Sequence, residues 1–146
     1  MAHRVYLLGL DSLLTNQLQP EPVNLRVYEL EREKPRAFFD VSETLEPQVL
    51  QMSTSGKHLE AFERGLSTIL TTPGQTDREA ELRLLREPAL NFEAFWIHGN
   101  DQEDSIVPIT WLGPIPQYQV TRLDKALDTL REAARHLQNM DDEIGA

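Results

Sequence analysis

The stretch FEAFWIH, residues 92–98, constrains this chain more than any other. In an extended strand, successive side chains point to opposite faces. Phe92, Ala94, Trp96 and His98 then share one face, and Glu93, Phe95 and Ile97 share the other. A return run over 106–112 repeats the property, with Val107, Ile109 and Trp111 against Ile106, Thr110 and Leu112. Residues 99–104 between them read as a long polar hairpin loop. A hairpin apolar on both faces needs cover on both sides. One helix supplies one cover; a second helix or a subunit partner must supply the other.

Two segments carry the helical period. In GKHLEAFERGLSTILTTPG, His58, Phe62, Leu66, Ile69 and Leu70 recur at helix spacing, and Thr72-Pro73-Gly74 stops the run. Gly65 inside it costs about 1 kcal/mol relative to Ala, which implies close approach by a neighbouring element. From Thr121, with Asp124 three residues later as in a capping box, Leu123, Ala126, Leu127, Leu130, Ala133, Ala134 and Leu137 make one stripe. Its alanines let this helix lie close on a sheet.

The remaining apolar runs are short. RVYLLGL (4–10) reads as a first strand rather than a signal peptide, because Asp11 interrupts it and no small-residue cleavage pattern follows. NLRVYEL (24–30) and AFFDVS (37–42) form a hairpin around the polar EREKPR; the alternative is a helix from YELEREK that Pro35 ends. Segment 75–88 is divided between a capping box at Thr76 and Glu79 and the strand alternation of Ala80, Leu82 and Leu84, which we favour over 80–86.

The expected fold is a single α+β domain over residues 1–146, with a mainly antiparallel sheet of about five to six strands. Two helices, at 56–72 and 121–139, pack on it, and an acidic tail is expected to fray from about residue 139. No internal repeat is visible. A chain of 146 residues buries roughly 68–70% of its unfolded surface, enough for one core.

Composition excludes more functions than it suggests. The formal net charge is −10, from 14 Lys and Arg against 24 Asp and Glu. Such a chain is a poor partner for nucleic acid or anionic membrane, which need cations in place of condensed counterions. There is no cysteine, which removes disulfides, thiolate nucleophiles and cysteine zinc sites and suits a reducing cytoplasm. The Gly-Lys pair in TSGKHL lacks the phosphate-loop frame, and no Gly-x-Ser-x-Gly elbow occurs. His58, Glu60 and Glu63 diverge on a helix and make a poor metal cluster. The oxygens of Asn100, Asp101, Glu103 and Asp104 suit calcium, but their spacing is not that of an EF-hand loop. No metal or cofactor is expected, and no catalytic residue is assigned.

The leading expectation is a soluble, cytoplasmic, acidic domain, non-enzymatic, that works through protein contacts with a partner or with itself as a homodimer. The segment WLGPIPQYQV would be its first contact surface through Pro114, Pro116 and Tyr118, unless it is only a rigid connector. The rival is a small-molecule binder or enzyme with a pocket between sheet and C-terminal helix. Glu93, Trp96, His98 and Trp111 would line it, with Glu93 desolvated toward general-base range or else paired with Arg83 or Arg86. A third reading is an acidic inhibitor or immunity-type protein that masks a basic partner.

Overall fold

In the computed structural model, the described residues are 1–15, 20–72, 80–99, 104–110 and 113–145, with side chains described as far as 142. They form one mixed sheet with helices on both faces. Strands β1 (Ala2–Leu7), β2 (Glu21–Glu31), β3 (Lys34–Val41) and β4 (Val49–Ser53) precede β5 (Ala80–Glu87), β6 (Phe92–Gly99), β7 (Ser105–Pro108) and β8 (Thr121–Arg122). The helices are α1 (Leu10–Leu14), α2 (Gly56–Thr71) and α3 (Leu123–Gly145), and one 3-10 turn covers Pro88–Leu90.

The spatial order is β4-β3-β2-β1-β5-β6-β7-β8. Only β1 and β5 pair in parallel; the other pairings among the described strands are antiparallel. The order reads outward from that parallel pair, 1-2-3-4 on one side and 5-6-7-8 on the other. Each set of four leads into a helix, α2 and α3, and these lie on opposite faces. That is the topology of two β-β-β-β-α units related by rotation about an axis along the central strands. The two halves share no visible sequence repeat, because the topology constrains which positions are apolar and not which side chains fill them.

Alternation along the strands builds a core on each face. Val5, Tyr28, Phe38, Leu84, Phe95 and Val107 meet Leu59, Phe62 and Ile69 of α2. Tyr6, Leu85, Ala94, Trp96 and Ile106 meet Ala126, Leu130 and Ala134 of α3, with Leu13 of α1 at the side. Residues 92–97 of β6 and all of β7 are buried. The second cover that their two apolar faces require therefore comes from the same chain, and a subunit partner is not needed there.

Several expectations are corrected. Among the described residues the sheet has eight strands rather than five or six, and there are three helices rather than two. Strand β4 is exposed along nearly its whole length, so it lacks the buried alternation that reveals a strand. Strand β8 is two residues long and exists only because β7 lies beside it. Helix α1 takes residues that read as the end of the first strand and a connector. The return strand expected over 106–112 stops at Pro108, and Ile109 and Thr110 bend so that both amides donate to the Glu93 carbonyl at 2.9 and 3.3 Å. Helix α3 continues to Gly145, past the point where the acidic tail was expected to leave it.

The segment at 80–86 is a strand, as favoured, while the competing capping box at Thr76 and Glu79 lies outside the described residues. The hairpin around EREKPR also forms, but its turn is only Arg32 and Glu33, both at positive φ (51° and 66°). Gly65 has the neighbour its position implied: a Cβ there would lie 2.6 Å from Ile109 and 2.8 Å from Phe95. No helix among the described residues is long and apolar enough to cross a membrane.

Candidate functional site

Three features stand out from the core, two of them charged clusters on opposite faces of the sheet. The first lies under the start of α2. Arg26 on β2 and Asp40 on β3 are register partners, so both point to the α2 face beside Tyr28 and Phe38. Arg26 donates to Asp40 through Nε (2.8 Å) and Nη2 (3.1 Å), and through Nη1 to Glu93 of β6. Its guanidinium carbon lies 4.1 Å over the Phe38 ring. The side chains of Arg26, Asp40 and Glu93 are 2%, 4% and 7% exposed, so the triad is almost excluded from water. Burial alone would lower the Arg26 pKa; Asp40 and Glu93 reverse this and raise it, keeping the cation charged.

The second oxygen of Glu93 faces His58 Nε2 and Arg86 Nε, each at 3.8 Å. His58 stands edge-on to Phe38 in the first turn of α2 and is partly exposed. It opens onto a cavity of about 290 Å³, whose wall also includes Lys57, Thr110, Gln117 and Tyr118. A buried carboxylate thus stands behind a solvent-reachable imidazole.

The second cluster is on the α3 face, where the acidic loop ends. Asp104 Oδ2 accepts from Trp96 Nε1 at 2.8 Å and lies 2.7 Å from His98 Nδ1, while Oδ1 accepts from the Gly99 amide at 3.2 Å. Burial would raise the Asp104 pKa; the bonds from His98, Trp96 and Gly99 outweigh it and hold the carboxyl below its usual value. Arg83 completes the group, its guanidinium 4.4 Å over Tyr6 and 4.8 Å over Trp96. Both Asp104 oxygens are thus engaged by their own hairpin. Asn100, Asp101 and Glu103, the other oxygens weighed as calcium ligands, lie outside the described residues.

The structure separates the residues that sequence placed in one pocket. Glu93 belongs to the α2 face, Trp96 and His98 to the α3 face, and Trp111 lies outside the described residues. Glu93 contacts Arg86, one of its two expected partners, but its hydrogen-bonded partner is Arg26. Pro114 and Pro116 are exposed on either side of the buried Ile115. Tyr118 is half-buried, its amide donating to the Pro108 carbonyl at 2.9 Å and its ring lying 4.2 Å under Arg64. That segment is a tied-down connector.

Sequence reasoning passed over Arg26 and Asp40, although a signal existed. Each is a charge in the same alternation phase as an aromatic core residue, Tyr28 and Phe38.

The third feature is a sheet face without a helix on it. Helices α1 and α3 stand over the β1, β5, β6 and β7 side of their face. Beyond them, two cross-strand ladders continue outward: Ala2, Val27, Phe39, Met52 and Arg4, Leu25, Val41, Val49. Leu25, Val27, Phe39 and Val41 remain half-buried, and Val49, Leu50 and Met52 on β4 are 63%, 58% and 60% exposed. Strand β4, VLQMS, is the sheet edge and contains no charge and no proline. At the opposite edge β8 is only two residues long and runs straight into α3.

No protein-family model matches this chain, and no curated protein or solved structure matches it at a significant level, so its function is argued from this geometry alone.

Proposed function

We propose that this is a non-enzymatic protein-interaction domain that works through the open face of β2, β3 and β4 and the free edge of β4. The observation that carries the reading is the two apolar rows Val27, Phe39, Met52 and Leu25, Val41, Val49, which run out to an edge strand with no charge or proline. Edge strands are normally guarded by charges, proline or extreme shortness, because unpaired backbone amides and carbonyls recruit another strand. A bulge beside Val41 is the one such device here. Contiguous exposed apolar surface is the mark of a contact site. The overall acidity, formal net charge −10, keeps the rest of the surface from associating indiscriminately, and the lack of cysteine fits a cytoplasmic setting.

A second copy of the chain suits the edge. Two β4 strands paired antiparallel about Gln51 set Leu50 opposite Met52 of the second copy, and Val49 opposite Ser53, with no like charges facing. The test is molar mass by light scattering across a wide concentration range, for the native chain and for Met52→Lys and Val49→Lys. A dimer that both substitutions convert to monomer supports the reading. If the native chain dimerises and neither lysine matters, the contact lies elsewhere. A native chain that stays monomeric, with β4 amides exchanging with solvent equally fast alone and in host extract, sinks the proposal.

A further inference from the structure

A different part of the molecule, independent of the β4 edge, carries a ligand site. We propose that the cavity at the start of α2 binds a small organic anion, a monocarboxylate, held by Lys57 and His58.

The chain carries 24 Asp and Glu against 14 Lys and Arg, yet none of the described residues lining this cavity is acidic. Lys57 and His58 are both in its wall. The nearest carboxylate is Glu93, behind His58, and its charge is already matched by Arg26 on one oxygen and Arg86 near the other. An incoming carboxylate therefore meets the Lys57 ammonium and the His58 ring without an uncompensated acid. Nε2 is the His58 nitrogen turned to Glu93, 3.8 Å from its Oε2.

The walls are fixed rather than collapsible. Thr110 Oγ1 donates to the Asn91 carbonyl at 3.3 Å, and Gln117 Nε2 donates to the Ile109 carbonyl at 3.0 Å. Tyr118 is pinned through its backbone amide and beneath Arg64. Ser55 also lines the cavity and makes no side-chain capping bond with α2. Ala61, Ile109 and the Tyr118 ring supply apolar wall, which suits an organic group attached to the anion. At about 290 Å³ the space lies at the small end of small-molecule sites.

The full-length chain is titrated with benzoate, and in parallel with inorganic phosphate, while the histidine side chains are followed by NMR. Benzoate is expected to shift the His58 resonances saturably and to leave exposed His136 unmoved. Lys57→Gln, at an exposed position, is expected to weaken benzoate binding roughly tenfold, the factor that ~1.4 kcal/mol represents, with an unchanged circular dichroism spectrum. Saturation by phosphate alone would overturn the assignment to an organic anion. A linear response shared by His58 and His136, or unchanged affinity in Lys57→Gln, would overturn the site. Neither result bears on β4, because Lys57 and His58 are not on the open sheet face.

Discussion

Arg26 and Asp40 face each other across β2 and β3 and close two hydrogen bonds, Nε to Oδ1 at 2.8 Å and Nη2 to Oδ2 at 3.1 Å, with both side chains nearly dry. Breaking a buried pair leaves one charge without its counterpart, at a cost of about 3–5 kcal/mol. Asp40→Ala is expected to lower stability by that amount in urea denaturation. Arg26→Met is expected to be at least as damaging, because it also takes from Glu93 its hydrogen-bonded partner. A loss under about 1 kcal/mol for Asp40→Ala, the level of an exposed pair, would mean that water reaches the site.

Gly65 is fixed by its neighbours. In Gly65→Ala, helix propensity gains about 1 kcal/mol, but the new methyl would sit 2.6 Å from Ile109 Cγ2 and 2.8 Å from the Phe95 ring. Phe95 is fully buried and has nowhere to move. Overpacking of this kind costs about 1–3 kcal/mol or more, so a net destabilisation is expected. Thermal melting decides it: a melting temperature equal to or above that of the native chain would show that α2 can lift from the sheet.

The β2–β3 turn stores strain. Arg32 and Glu33 both hold positive φ, a conformation that costs a side-chain-bearing residue roughly 1–2 kcal/mol. A two-residue hairpin turn of this type prefers Asn-Gly. The double substitution Arg32→Asn, Glu33→Gly is expected to stabilise the domain by about 1 kcal/mol, read as a higher urea midpoint with an unchanged slope. A lower midpoint would show that the turn relies on its present side chains.

Glu87 is 1% exposed, and its Oε2 has no hydrogen-bond partner among the described residues. Burial pushes its pKa up, and the amides of Leu90 and Ala89 pull it down less strongly. A carboxyl with a raised folded pKa penalises the folded state above that pKa, and the penalty is relieved as pH falls through it. Glu87→Gln is therefore expected to stabilise the protein at neutral pH. Its advantage over the native chain should shrink as pH falls through the raised folded pKa toward the ordinary carboxylate range. An advantage that stays constant across this window would show that Glu87 is already protonated at neutral pH or is not the group responsible.

Particular residues show how far sequence reaches. Phe92 to His98 announced a strand buried on both faces, and the stripe from Leu123 to Leu137 announced a helix lying close on a sheet; both patterns record which side chains leave water. The charges Arg26 and Asp40 were written in the core phase of their strands, a visible contradiction of the pattern that could have marked the buried cluster. Strand β4 could not be read, because it has no buried face and its existence rests on backbone bonds to β3.

Local order in the core was thus set by the sequence through its periodicities: where the buried strands and the two long helices run, and that the central hairpin needs two covers. Which partners meet was decided only by tertiary structure. Glu93 joins Arg26, sixty-seven residues away, because β1 and β5 pair in parallel and bring β2 and β6 onto the same α2-covered face. Glu93 lies across the sheet from Trp96 and His98 through the alternation of β6 itself, which was already legible in the sequence. Periodicity fixes the direction of a side chain, whereas the order of strands in the sheet fixes what it meets.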